Sequence, residues 1–269
     1  MRIRFLLRFC LFLALTHWTL GWVPEAIAGI ITIETQNSVE VTGDQINVTV
    51  TTTNKGSEPA LSLQPHLILL GKQQEGPVIP RLGPGQSGSF SFKMTLTGIK
   101  KGRHPLIVFV DFHDANQYPF SAFSGMTFYF EKDVNADLVC TAKDASIKKS
   151  GEVSFNIKNL VSETRKINAT LILPKEFSTP RSKIEQILGP RAEKLFSFQI
   201  MNFSALQGAA YPVFCFFEYD LNNIHYTAVA QTLVKVAKEE NLFRQTRWLW
   251  ITTAVILGLA LLITILKKR

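Results

Sequence analysis

Few residues in this chain have the types and spacing to do chemistry. The clearest group is Asp111-Phe112-His113-Asp114. Side chains alternate along a strand, so Asp111 and His113 would share a face. With Asp114 they would make the oxygen and nitrogen donor set of a divalent cation, or the centre of a metal-assisted hydrolase. The matching stretch later in the chain reads Glu218-Tyr219-Asp220-Leu221 and has no histidine. Both stretches run into Asp/Asn-rich turns, which account for the acids without a ligand, so no metal, cofactor or catalytic residue is assigned. His66, His104 and His225 stand in strand or turn patterns with no Ser, Cys or Glu at a telling spacing. A triad can be distant in sequence, but Gly-x-Ser-x-Gly, His-Glu-x-x-His and Gly-rich phosphate loops are all missing from the sequence. The expectation is a protein without enzymatic activity.

Binding is the remaining class. Most of the 20 phenylalanines alternate with polar residues, as Phe90, Phe92, Phe196 and Phe198 do, and so belong to a core. Tyr118, Phe120 and Phe123, just past a turn, are expected at the surface, where they would stack on a glycan or touch a protein partner. Of the three cysteines, Cys10 falls in the N-terminal apolar segment, leaving Cys140 and Cys215. Both a disulfide between them and two free thiols are compatible with their positions.

Those residues must be positioned by a strand framework, and it is written twice. Leu82-Gly83-Pro84, Phe90-Ser91-Phe92 and Gly102 recur 106 positions later as Leu188-Gly189-Pro190, Phe196-Ser197-Phe198 and Gly208. Pro105, Phe109, Asp111 and Phe112 recur at 107 as Pro212, Phe216, Glu218 and Tyr219. A repeat of this length is a duplicated domain, because solenoid periods run about 20–50 residues. Segments 46–52 and 153–158 alternate apolar with polar residues, as half-buried strands do. Segments 106–112 and 213–219 are continuously apolar and read as strands buried on both faces, between an opposing sheet and a neighbour. Asp114-Ala115-Asn116-Gln117 and Asp220-Leu221-Asn222-Asn223 supply hairpin turns.

The expected fold is all-β: two tandem Ig-like β-sandwiches, 29–132 and 133–236, plus one C-terminal transmembrane α-helix. Residues 1–28 carry a basic start, a short apolar run and Ala26-Ile27-Ala28, the order of a cleavable signal peptide. Residues 248–266 form an uncharged run flanked by Arg247 and Lys267-Lys268-Arg269. That is long enough to span a bilayer, with Trp248 and Trp250 at the outer headgroup level and 267–269 as a cytoplasmic stub. The juxtamembrane linker, 237–247, reaches at most ~35 Å. The expected location is a single-pass type I membrane protein with its bulk in the periplasm or outside the cell, a bacterial inner membrane being the expected site. Between 30 and 247 stand 23 basic and 20 acidic residues, which is not the charge of a nucleic-acid binder.

Val48-x-Val50-x-x-x-Asn54-x-Gly56 followed by Leu82-x-Pro84-Gly85-x-Ser87, a Phe-rich strand and an Asp/Asn hairpin resembles the bacterial cell-adhesion-related (CARDB-like) domains. It is similar also to the Ig-like domain associated with alpha-galactosidases. The resemblance covers both copies, but the second departs from it. Leu160 and Val161 follow Asn159 where Gly is usual, and Arg191 replaces the Gly after Pro190. The resemblance implies Ig-like sandwiches serving as a spacer or interaction module without catalytic residues. The expected partners are the membrane and a protein of a membrane or envelope complex, with glycan binding as the alternative.

Overall fold

The computed structural model describes residues 30–238 and 246–267. Segment 1–28, expected to be a signal peptide, lies outside the described residues, as do most of 237–247 and residues 268–269. The first half of the chain forms β1 (Ile33–Thr42), β2 (Gln45–Asn54), β3 (Ala60–Leu69), β4 (Lys72–Glu75), β5 (Ile79–Leu82), β6 (Ser87–Thr95), β7 (Lys101–His113) and β8 (Pro119–Phe130). The second half forms β9 (Leu138–Ala142), β10 (Ala145–Ile147), β11 (Ser150–Asn159), β12 (Arg165–Ile172), β13 (Phe177–Ser178), β14 (Lys183–Leu188), β15 (Glu193–Asn202), β16 (Ala210–Leu221) and β17 (Ile224–Val236). A helix, α1 (Arg247–Lys267), follows. Among the described residues no helix is long and apolar enough to cross a membrane.

In the first domain the sheet β1-β2-β6 faces β8-β7-β3. Period-two alternation aims Ile46, Val48 and Val50 of β2 and Phe90 and Phe92 of β6 at Leu106, Val108 and Val110 of β7, all buried in one core. The second domain repeats the plan, with β13-β15-β11-β9 opposite β14-β12-β16-β17. Its core is aromatic: Phe217 meets Phe155 and Phe196 edge-on, at centroid distances of 6.0 and 5.5 Å. Such edge-to-face pairs add about 0.5–1.5 kcal/mol each beyond burial.

A buried asparagine locks the same loop in both copies. Asn54 donates from Nδ2 to the carbonyls of Glu58 (2.7 Å) and Leu82 (3.0 Å), and its Oδ1 accepts from Gly56 N (2.9 Å). Asn159 donates to Glu163 O (2.7 Å) and Gly189 O (2.9 Å) and accepts from Val161 N (3.2 Å). The bond needs only a backbone N–H, so valine serves where glycine was expected. Gly56 is restricted for another reason: a Cβ there would lie 2.1 Å from Ile30 O, where the entering chain crosses the loop.

The two-domain order along the sequence hides how the domains sit in space. β17 pairs with β7 in parallel, through Ile224 with Lys101 and His225 with Gly102, which joins half of each sandwich into a 10-stranded sheet. Each domain is therefore clasped against the other along β7, with the end of β17 and the tip of the β7–β8 hairpin at the same end.

Candidate functional site

The seam between the domains is where the chemistry-bearing residues collect, and it has three zones. The middle is apolar. In β7 the even-numbered Leu106, Val108 and Val110 fill their own core, so Ile107 and Phe109 face away from it. In β16, Val213, Cys215 and Phe217 point inward, leaving Phe214 and Phe216 on the opposite face. These outer faces meet each other, with Phe123 of β8 between them. Phe123 stacks on Phe109 at 5.2 Å and meets Phe214 edge-on at 5.3 Å. Close approach depends on Gly125, where a Cβ would stand 3.0 Å from the Phe216 ring.

One end of the seam carries the hairpin tip. Asp111 takes Lys175 of the second domain as an ion-pair partner, and His66 Nε2 lies 2.9 Å from the same carboxylate oxygen. Glu176, 2 % exposed, accepts from Ser121 N (3.1 Å) and Ser121 Oγ (2.9 Å) across the seam. A buried carboxylate is tolerated because charge-assisted hydrogen bonds offset its desolvation.

At the other end, Lys100 Nζ lies 2.7 Å from Asp220 Oδ2. His225 sits between two carboxylates, Nδ1 2.8 Å from Asp220 and Nε2 3.1 Å from Glu218. Both nitrogens must donate to satisfy those contacts, so the imidazolium is the fitting state and neither nitrogen is left as a base. His104 stacks on it at 4.5 Å and donates from Nε2 to Lys100 O at 2.7 Å. Thr227 Oγ1 donates to Arg103 O at 2.8 Å. Gly102 makes this junction feasible: its φ is +129°, and a Cβ would lie 2.0 Å from His225 O.

Burial by itself would lower the pKa of His225, but Glu218 and Asp220 outweigh it and hold the ring above its ordinary value. For Asp220, burial opposes ionisation, yet Lys100 and His225 prevail and hold it low. His104 is pushed down, chiefly by burial. The raised pKa of His225 supplies stability that is complete below the unfolded value of ~6.5 and is lost as pH rises through the folded one. His104 acts oppositely, losing stability as pH falls below ~6.5. Wild-type protein is therefore expected to lose melting temperature as pH rises above neutral, and His225→Gln to lack that loss. Parallel slopes for the two proteins in a pH series of melting curves would contradict the clamp.

The sequence-assigned contact residues separate. Tyr118 is 67 % exposed at the tip, Phe120 is half-buried and stacked on Phe112 at 5.8 Å, and Phe123 is 5 % exposed inside the seam. Tyr118, Phe120 and Phe123 thus form no open aromatic platform, because β8 alternates and sends Phe120 and Phe123 to opposite faces. Asp111 is engaged by Lys175, and Asp114 caps its turn through bonds from Asn116 N (2.8 Å) and Tyr118 N (2.9 Å). Among the described residues, no three His, Cys, Asp or Glu are placed to hold a metal. Cys140 and Cys215 are free thiols packed in the second core, and burial raises both pKa values, that of Cys140 to about 12. Sequence reasoning missed His104, His225, Lys175 and Glu176. The one signal for the seam was the two-sided apolar character of 106–112 and 213–219.

Among solved structures, the chain is similar to red sea bream transglutaminase at 12 % identity and a TM-score of 0.26, over 76 % of this chain and 31 % of that one. It is similar also to native E. coli alpha-2-macroglobulin at 8 % identity and a TM-score of 0.30, over 77 % of this chain and 17 % of that one. The chain spans less than a third of either protein, and likenesses this loose carry no argument about function. No curated protein matches. Residues 30–115 match the family model of CARDB, which supports a CARDB-type, Ig-like identity for the first domain.

Proposed function

We propose that this is a non-enzymatic, membrane-anchored envelope protein whose two Ig-like domains act together as an interaction or spacer module for a membrane or envelope complex. The observation that carries it is the seam: the acidic, basic and imidazole groups gathered there are spent on holding two domains as one body. A rigid two-domain body presents a surface of fixed shape, which suits positioning a partner. The CARDB match over 30–115 agrees with a module of adhesion type.

Support for the anchor comes from the uncharged run 248–266 and from the side chains of α1. Trp248, Leu249, Ile256, Leu257 and Ile263 are each more than half exposed, so no part of the folded domains covers them. Thr252 and Thr253 donate their hydroxyls back to Trp248 O (2.9 Å) and Leu249 O (2.7 Å), which satisfies them without water. Full-length protein is expected to stay with membranes through an alkaline carbonate wash and to be digested by protease only from the non-cytoplasmic side. Release by carbonate overturns the anchor. A detergent-extract pull-down that recovers no specific membrane or envelope protein overturns the module.

A further inference from the structure

We propose that the end of the two-domain body where the chain leaves β17 is a docking face for the headgroup layer of an anionic bilayer. This rests on the anchored reading above and adds to it a specific surface and lipid chemistry. β17 ends at Val236, and the loop between β15 and β16 is tied to that point: Gly208 N donates to Val236 O at 2.7 Å, and Val236 N to Ala209 O at 2.9 Å. This loop carries Phe203, 84 % exposed, and Leu206, 53 % exposed. Phenylalanine so exposed on a short loop gains nothing from its own fold. Tyr118, at the tip of the β7–β8 hairpin, stands at the same end because Ser121 is held by Glu176, whose backbone carbonyl also accepts from Phe203 N at 2.8 Å.

Exposed lysines stand around these apolar tips. Lys148 and Lys149 occupy the turn before β11, fastened to the Phe203 loop by Asn202 N to Lys149 O (2.8 Å) and Asn202 Nδ2 to Lys148 O (3.3 Å). Lys238 follows β17 and lies against Gly208. All three lysines are exposed. Of the nearby carboxylates, Glu176 is buried against Ser121 and Asp111 pairs with Lys175, while Asp114 and Asp144 accept from backbone N–H groups, Asp144 from Leu233 N at 3.2 Å. On the first domain Lys55 lies 3.9 Å from Glu34. Apolar tips ringed by lysines match an interface in which rings enter the acyl boundary and ammonium groups meet phosphates. The chain end fixes which bilayer: α1 begins at Arg247, and the residues between Val236 and Arg247 reach at most ~35 Å.

The test is hydrogen–deuterium exchange on the full chain in nanodiscs of phosphatidylcholine alone or with phosphatidylglycerol. Backbone amides of 146–150 and 203–209 are expected to exchange about tenfold more slowly in the anionic discs. Lys148→Glu with Lys149→Glu, and separately Phe203→Ser with Leu206→Ser, are expected to remove that protection without lowering the melting temperature. Equal exchange in both discs while α1 stays protected overturns the docking face and leaves the anchor standing. Rapid exchange of α1, or failure to enter discs at all, overturns the anchor and the docking face together.

Discussion

Gly102→Ala is expected to part the two domains. The new Cβ would lie 2.0 Å from the backbone carbonyl of His225, and a carbonyl held in a strand ladder has no soft way to give. An alanine at φ +129° is strained besides, so the seam must open or the backbone must rebuild, at a cost of about 3 kcal/mol or more. Calorimetry is the direct reading. Wild-type protein is expected to melt in one transition, because Phe123 of the first domain and Phe214 and Phe216 of the second are buried in one shared cluster, and the variant in two transitions, the first at lower temperature. Phe216→Ala is the companion: it leaves the backbone alone, empties a position that is 1 % exposed, and is expected to cost about 3–5 kcal/mol. A single transition at the wild-type temperature in both variants would show that the seam does not couple the domains.

Asn159→Ala is expected to unfold the second domain locally, and Asn54→Ala the first. Each substitution deletes two donated bonds and one accepted bond at a fully buried position and strands the carbonyls of Glu163 and Gly189, or of Glu58 and Leu82. Leaving buried acceptors unpaired costs about 1–3 kcal/mol each, so a loss of about 3 kcal/mol is the expected scale in chemical denaturation. The isosteric Asn159→Asp is expected to do more harm than alanine, because it sets a carboxylate against two carbonyl oxygens. Gly56→Ala is expected to destabilise through the Ile30 carbonyl, whereas Val161→Ala at the matching place is expected to be mild. A milder effect of aspartate than of alanine would contradict a lock built on donation from Asn159 Nδ2 to two carbonyls.

Which residues were legible in advance follows from the range of the interactions involved. Alternation in 46–52 and 153–158 told which face of β2 and β11 is buried, since a strand's inside and outside are set by neighbours two residues apart. The duplicated Leu-Gly-Pro and Phe-Ser-Phe segments showed that one sandwich plan serves twice, because a repeated pattern needs a repeated core. Turns at 114–117 and 220–223 were readable for the same local reason: Asn222 and Asn223 both adopt positive φ, at 51° and 59°, which asparagine tolerates better than most residues.

Phe123 shows where local pattern stops. Beside Tyr118 and Phe120 it read as one of three surface aromatics, yet it is buried by Phe214, which stands 91 positions away in a different domain. His104 and His225 were unremarkable singly, and only the parallel pairing of β17 with β7 stacks them. The composition and periodicity of the chain determined two all-β cores, the strand faces that fill them and an uncharged C-terminal run. Tertiary structure alone decided that the domains lie clasped along β7, which acids and bases meet there, and which loops share the end where the chain departs. Contacts within a strand or hairpin are dictated by residues close in sequence, while a seam between domains is selected by shape and charge on surfaces that no short window of sequence brings together.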